Sequence, residues 1–564
     1  MNGVVASNEA SPAKAAASRF PLSGRVSAGL AFGSGLLYFL AFPGVDLWPL
    51  SFVALVPLIV ALRGQTPRRA LWLGWLSGFT MTMFGFYWLL NMLQTFSGFP
   101  LPLCALFMAI LCGYQAGRIG LLGWLYARAE QRSWPAGLAF AVAFAASEQA
   151  FPLLFPWSYG ATVHQLPALL QVAEIGGPIL VGLTQVAINL ALAELVLARL
   201  ERRGVRWKAA GALAAVPLVS ALYGAVRIGQ VDADVAAATP AEIGLVQANM
   251  SLFGKRRDKN EGLRRHQKLT RDLLKKGKLD LVVWSETSVM SAIDESAAAR
   301  EIPSKISNKL DVPALFGAVL TRPVQDVRGK VFFNSAIATD LKGRMVGRYD
   351  KQYLLAFGEY LPFGETFPIL YQWSPQSGRF THGKSMLPLT VGKHQIAAFI
   401  CYEDIIPGFV NEIVRAGSPD LLANLTNDAW FGDTTEPWIH LALSKMRAIE
   451  HRRFFVRSTN SGVSAFVDPV GRVIAHTNTF EEQALRAKLA WMRGTTVYEV
   501  LGDVPWWLAV LLAGALAFVR RPAAIAASPQ PAQRPPTEPL DPARAFREKA
   551  RSWLLRGSAD RREE

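Results

Sequence analysis

Seven apolar runs occupy residues 26–228, joined by connections that are alternately arginine-rich and free of positive charge, and no soluble fold accommodates that pattern. The runs are 26–41, 47–62, 70–93, 101–127, 136–150, 178–200 and 208–228, and an eighth lies at 505–519. A perpendicular membrane helix needs about 20 residues, so 26–41, 47–62 and 136–150 are short enough to be re-entrant or buried within a bundle. Arg19 and Arg25, Arg63 with Arg68 and Arg69, Arg128 and Arg132, the cluster Arg199 to Lys208, and Arg520 with Arg521 mark every second connection. The connections at 42–46, 94–100 and 151–177 carry no lysine or arginine. This positive-inside pattern predicts eight spans with both termini cytoplasmic, which puts the segment between the seventh and eighth spans on the opposite side of the membrane.

The expected domains are a cytoplasmic tail (1–24), a transmembrane bundle (25–229), an extracytoplasmic domain (230–503), a final span (504–520) and a cytoplasmic Pro/Ala-rich and basic tail (521–564). The first 20 residues lack a cleavage-site pattern, which predicts a retained tail and not a signal peptide. Much of the net charge of +16 falls in the arginine connections and tail, so topology accounts for it without a nucleic-acid partner. The segment DPARAFREKARSWLLR has the pattern of a basic amphipathic helix or of a solvated tail. Only three cysteines are present. Cys104 and Cys112 are about 12 Å apart along one helix, beyond the ~7 Å reach of a disulfide. Cys401 is therefore an unpaired thiol in the exported domain.

Between 240 and 490 the composition is that of a soluble domain. Strands are expected at EIGLVQAN, DLVVWSE, ALFGAVL, FFNSAIATD, QIAAFICYE, DLLANLT, FFVRSTN and VSAFVDP, most without a period of two, which predicts sheets buried on both faces. Helices are expected at 255–277, 295–310, 405–416 and 434–452, and VDPVGRVI reads as a hairpin. The mixture predicts a layered α/β sandwich. There is no Gly-rich phosphate loop and no metal-spaced His/Cys cluster, so neither a metal nor a cofactor is expected.

Three features sit where strands end. Glu286 closes DLVVWSE; in a partly dry pocket its pKa would rise towards that of a general base. Lys351 follows Arg348-Tyr349-Asp350, and an ammonium held there would stabilise an oxyanion. Downstream, FGEYLPFGETFP repeats Phe-Gly-Glu, leaving Glu359 and Glu365 equivalent on spacing. Cys401 ends an apolar strand and precedes Tyr402, Glu403 and Asp404, the pattern of a nucleophile elbow. His382, His394, His440 and His451 have no supporting context as its partner, which leaves a glutamate as the expected base.

In the order Glu286, Lys351, Cys401 these residues resemble the Glu-Lys-Cys triad of the nitrilase, or carbon–nitrogen hydrolase, superfamily. With the bundle and final span, the chain resembles the apolipoprotein N-acyltransferase family of the bacterial inner membrane. The pieces that carry the resemblance are Gln247-Ala-Asn249, Trp284-Ser-Glu286-Thr287, Phe357-Gly-Glu359-Tyr360-Leu-Pro362, Cys401-Tyr402-Glu403, Asn427-Asp428-Ala-Trp430-Phe431-Gly432 and Arg457-Ser-Thr459-Asn460-Ser-Gly462. The resemblance implies an αββα sandwich on the periplasmic side, a phospholipid acyl donor and a Cys401 thioester. The acceptor would be the N-terminal amine of a diacylglyceryl-cysteine lipoprotein. It implies Glu286 as base, Lys351 and the Tyr402 N–H as oxyanion donors, Glu359 and Glu403 as supporting groups, and Tyr402 and Trp430 lining a lipid pocket. A membrane-tethered amidase or nitrilase acting on a small amide is the alternative. Ser285, Leu252, Arg256 and Ala356 depart from the family pattern at places expected to shape the acceptor and donor loops.

Overall fold

The computed structural model describes residues 20–251, 258–307, 310–325, 329–356, 358–361, 363–373, 378–522, 543 and 546–551. The tail through residue 19, Leu252, Arg256 and the Pro/Ala-rich stretch lie outside the described residues, as does most of the basic segment at 541–556, of which 546–551 are helical.

Three described helices are long and apolar enough to cross a membrane: Leu101–Gln131, Ala173–Leu200 and Trp207–Ala237. Shorter apolar segments at Trp48–Leu62, Ala136–Ala150 and Val504–Phe518 accompany them, with helices Gly24–Leu40 and Pro67–Gly85. Small residues let backbones meet. A Cβ at Gly74 would collide with the Ile119 carbonyl and one at Gly123 with that of Ala70, so helices Pro67–Gly85 and Leu101–Gln131 touch along a glycine seam. A buried ion pair, Arg118 to Glu148 at 2.6 Å, joins two of the apolar helices.

The structure corrects two segment boundaries and shows why a third, the start of the run 178–200, falls where it does. The run 70–93 is not one helix: it breaks after Gly85, and a separate helix, Trp88–Ser97, folds over the bundle. Helix Ala173–Leu200 is interrupted at Gly176-Gly177, where Gly177 has φ +62° and the Gly176 carbonyl accepts a hydrogen bond from Trp506 Nε1 at 2.9 Å. The helix starting at Trp207 continues past residue 229, the expected end of the bundle, to Ala237. Its alanine-rich end favours helix beyond the apolar stretch.

The second half of the chain forms β1 (Thr239–Gln247), β2 (Leu281–Trp284), β3 (Val289–Asp294), β4 (Ala314–Pro323), β5 (Lys330–Thr339), β6 (Met345–Asp350), β7 (Leu389–Val391), β8 (His394–Ile400), β9 (Leu421–Thr426), β10 (Phe455–Thr459), β11 (Ala465–Val467), β12 (Val473–His476) and β13 (Gln483–Trp491). One sheet has the order β13-β1-β2-β4-β5-β6, with β3 also paired to β4, and the other β12-β11-β10-β9-β8-β7. Alternate residues explain the continuous apolar runs. Leu281, Val283 and Leu315 face the other sheet, whereas Val282, Trp284 and Phe316 face helices Glu261–Leu274 and Glu295–Glu301. On the far side, helix Pro407–Gly417 buries Phe409, Val410, Ile413 and Val414. The layers are αββα, as expected.

Strands β1, β2 and β4 are mutually parallel, and β6, two antiparallel steps from β4, runs the same way. In the second sheet β8, β9 and β10 are parallel. Residues that follow β2 and β6 therefore leave the first sheet at one edge, and those that follow β8 and β9 leave the second at one edge.

Bundle and sandwich share a core and form one compact unit up to Val519. Phe431, Ile439, Leu443, Met446 and Ile449 of the sandwich belong to the apolar cluster of the bundle. Arg452, in the left-handed region at φ +51°, donates to Glu174 at 2.7 Å and to Gln171 at 2.6 Å, both on the bundle side. Replacing Arg452 with alanine removes charge-assisted bonds from a buried carboxylate that retains Arg227. The expected loss is roughly 2–3 kcal/mol, read as a lower unfolding midpoint in detergent, with Arg452→Lys falling between.

Candidate active site

Cys401 is the first residue of a 3₁₀ turn, Cys401–Ile405, that begins where β8 ends. Its φ of +57° is in the left-handed region, a conformation that costs a non-glycine residue on the order of 1–3 kcal/mol. The next segment starts with Pro407, so the chain turns sharply at the thiol and then enters a helix. That is the local geometry of an elbow.

Lys351 immediately follows β6 and is almost completely buried. Its ammonium contacts Glu359 at 2.8 Å and Glu286 at 3.8 Å and lies over the Tyr402 ring, 5.7 Å from its centroid. Burial alone would pull its pKa down, but Cys401, Glu359 and Glu286 outweigh that and hold it well above the ordinary lysine value. Three distant segments thus meet at one cation. The tie between the two Phe-Gly-Glu copies is resolved by geometry, because Glu359 reaches Lys351 whereas Glu365 is exposed.

Asn334, from β5, was not anticipated. Its amide donates to Glu286 at 2.7 Å and to Glu359 at 2.8 Å, bridging the two carboxylates. The Leu355 N–H donates to the other Glu359 oxygen at 2.8 Å. Glu403 is fully buried and accepts four hydrogen bonds: from Gln352 N at 2.7 Å, Tyr353 N at 3.0 Å, Ile400 N at 2.8 Å and Tyr349 Oη at 2.9 Å. It ties the loop after Lys351 to the strand before Cys401. Burial pushes Glu403 up to about 7, against Lys351 and the backbone donors.

A narrow apolar cavity opens at the thiol. Cys401, Tyr402, Leu355, Phe431 and Leu443 line it from the sandwich, and Phe86, Trp88, Leu154, Phe155 and Pro156 from the bundle. Trp88 meets Phe431 edge to face, with centroids 5.1 Å apart. Tyr402 lines this cavity. Trp430 is half-buried in the turn Asp428–Trp430, and its neighbour Phe431 supplies the lining instead.

The family model for the apolipoprotein N-acyltransferase N-terminal domain matches residues 34–191, and that for carbon-nitrogen hydrolase matches residues 242–494. A curated apolipoprotein N-acyltransferase from Azotobacter vinelandii is 34% identical over 522 residues, 89% of this chain and 96% of the relative. Those from Geobacter metallireducens (30% over 505 residues; 86% of this chain, 94% of the relative) and Pseudomonas aeruginosa (31% over 481; 83% and 91%) agree. This chain belongs to the apolipoprotein N-acyltransferase family. Among solved structures, a carbon-nitrogen hydrolase from Helicobacter pylori is similar at 15% identity and a TM-score of 0.34, covering 48% of this chain and 95% of that one.

Motifs that mark this family member in sequence have distinct structural tasks. Gln247 Oε1 accepts from Thr459 at 2.9 Å, Ser464 at 2.7 Å and Thr477 at 2.9 Å, and Asn249 N donates to the Asn460 carbonyl at 2.8 Å. Gln247-Ala-Asn249 and the Arg457–Gly462 segment therefore clamp β1 of one sheet to β10 of the other. Ser285, a departure from the family pattern, meets His266 Nε2 at 3.2 Å beneath Glu286. His440, which had no supporting context in sequence, is buried behind the elbow and contacts Asp404 at 2.8 Å. Arg457 donates to Asp404 and Asp428, each at 3.0 Å. The signal that could have found His440 is its i, i+4 spacing from Glu436 in helix Glu436–Ser444.

Burial pushes the Cys401 thiol up, with Glu286, Glu359 and Asp428 adding to the rise and Lys351 opposing it. A protonated thiol needs a base before it can attack. Alkylation of Cys401 by iodoacetamide should accordingly be slow at pH 7 and still accelerate beyond pH 9. Lys351→Met, which removes the one charge that favours the thiolate, should slow it by about tenfold or more at a given pH. Mass spectrometry of the Cys401 peptide separates this reaction from any at Cys104 or Cys112.

Proposed function

We propose that this chain crosses the inner membrane with about eight spans, holds its sandwich on the periplasmic face, and transfers an acyl chain from a phospholipid to the N-terminal amine of diacylated lipoproteins. Glu286 takes the Cys401 proton. The sulfur attacks the phospholipid ester, and Lys351 with the Tyr402 N–H stabilises the tetrahedral oxyanion. The lysophospholipid alkoxide leaves with the proton held by Glu286, and the acyl group remains as a thioester. The lipoprotein amine then attacks that carbonyl, forming the amide and releasing the thiol. Glu359 and Asn334 fix Lys351 and Glu286 relative to each other, and Glu403 fixes the two loops that carry Lys351 and Cys401.

The observation that carries this reading is the cavity at Cys401, one wall of which, Phe86, Trp88 and Leu154 to Pro156, comes from the helical bundle. A hydrolase of small amides has no use for a thiol that opens towards apolar helices, whereas two substrates that scarcely leave the bilayer do. A water-poor cleft also protects a thioester between two substrates that need not be bound together.

Incubation of the full-length protein in detergent with acyl-labelled phospholipid should leave label on Cys401 that hydroxylamine removes, and Cys401→Ala should take up none. Release of ammonia from small amides without lipid, and no acyl label, would favour the amidase instead.

A further inference from the structure

An ammonium that becomes an amide must lose two protons, and the triad offers one proton acceptor at a time. The alkoxide takes the first proton from Glu286, so the carboxylate is regenerated and can carry one amine proton to the departing sulfur. The second proton needs another destination. The cavity that exposes Cys401 is also lined by Glu436 and His440. Glu436 is nine-tenths buried, and its Oε2 makes no hydrogen bond; the Trp88 indole N–H on the same cavity makes none either.

We infer that Glu436 is the acceptor-amine site: it pairs with the incoming ammonium in the aromatic-lined cavity and takes the proton that frees the nitrogen to attack. This rests on the acyltransferase reading above. The N–C bond forms at the thioester carbonyl and the C–S bond to Cys401 breaks. One amine proton goes to the Glu436 carboxylate and the other, through Glu286, to sulfur. Glu436 afterwards returns its proton to solvent.

The charge balance around Glu436 supports this role. Two cations, Arg457 and the His440 imidazolium, face three acids, Asp404, Asp428 and Glu436, the last with its Oε1 3.7 Å from His440 Nδ1, so the cluster keeps one negative charge in excess and the free Oε2 of Glu436 is its face towards the cavity; Cys401 and Tyr402 are the other titratable groups on the cavity, and the named bundle residues there carry none. Burial, reinforced by Asp428, raises the Glu436 pKa despite His440 and Arg457. Burial and Arg457 work against the His440 cation, but Asp404 and Asp428 push it up to about 9, so it is charged at neutral pH. A cation arriving in the cavity therefore supplies the charge that an ionised Glu436 lacks. Phe86, Trp88, Phe155 and Phe431 present rings that suit an ammonium. A raised carboxyl also approaches the ~8 of an α-amine, where proton transfer between them is best matched.

The two half-reactions separate the proposals. With phospholipid alone, Glu436→Gln should form the Cys401 thioester as the wild type does. Chased with a diacylated lipopeptide at pH 7, it should transfer the acyl group about tenfold more slowly, because only the tenth or so of free amine reacts. It should recover above pH 9, whereas wild-type transfer passes through a maximum and Glu436→Asp keeps that maximum. If Glu436→Gln does not fold, the wild type still decides: its maximum should vanish with an aminooxy acceptor, which is neutral at pH 7. A deficit equal at every pH, an unaffected transfer, or a wild-type profile that rises monotonically with the lipopeptide overturns the inference. A wild type that forms no thioester overturns the acyltransferase reading itself.

Discussion

The Glu403 carboxylate is the constraint on which the site depends. A buried carboxylate is tolerated only when its lone pairs are filled, and here four donors fill them: three backbone N–H groups and a tyrosine hydroxyl. Two of those N–H groups belong to the loop that follows Lys351 and one to the strand end that precedes Cys401. Satisfying one anion therefore fixes the separation between the cation and the thiol, which lie on different sheets.

Around that anchor the site is arranged as concentric charge. Lys351 is the central cation, Glu286 and Glu359 flank it, and Asn334 joins the flanking carboxylates so that they do not repel one another apart. Behind the elbow a second ionic group, built on Arg457 and His440, secures Asp404 and Asp428. Both clusters are buried, where a lost partner leaves an uncompensated charge. Low dielectric makes such a site rigid as well as costly to disturb, and rigidity is what electrostatic stabilisation of an oxyanion requires.

The coupling of bundle to sandwich has the same physical origin on a larger scale. Phe431 and the two helices that follow it extend the apolar core of the bundle, and Arg452 joins Glu174 and Gln171 across the junction. Apolar burial supplies the attraction and the buried ion pair sets the register. As a result the cavity at Cys401 has walls from both halves, and neither half alone would enclose it.

Much of this was legible in the sequence. Apolar runs with alternating arginine connections specify a membrane-type bundle, because hydropathy and charge act through composition and need no partner. The eight strand candidates, the αββα layering and the hairpin at Asp468–Gly471 follow from local patterns, and Glu286, Lys351 and Cys401 stood out because strand ends are where side chains leave the sheet. Other features were decided only by tertiary contact. Strands β3, β6, β7 and β13 carry weak patterns and are held by their neighbours. The break at Gly176-Gly177 answers the arrival of Trp506, and Glu359, which the family motif favoured over Glu365, is distinguished from it in space by the position of the lysine. Asn334 carries no local signature, and Glu436 and His440 carry only their i, i+4 spacing, because their roles arise from charges and cavity walls contributed by segments far away in the chain. Periodicity and composition are properties of a segment, and the sequence determines them directly. Which polar groups share a buried space depends on how segments pack, and that the tertiary structure alone decides.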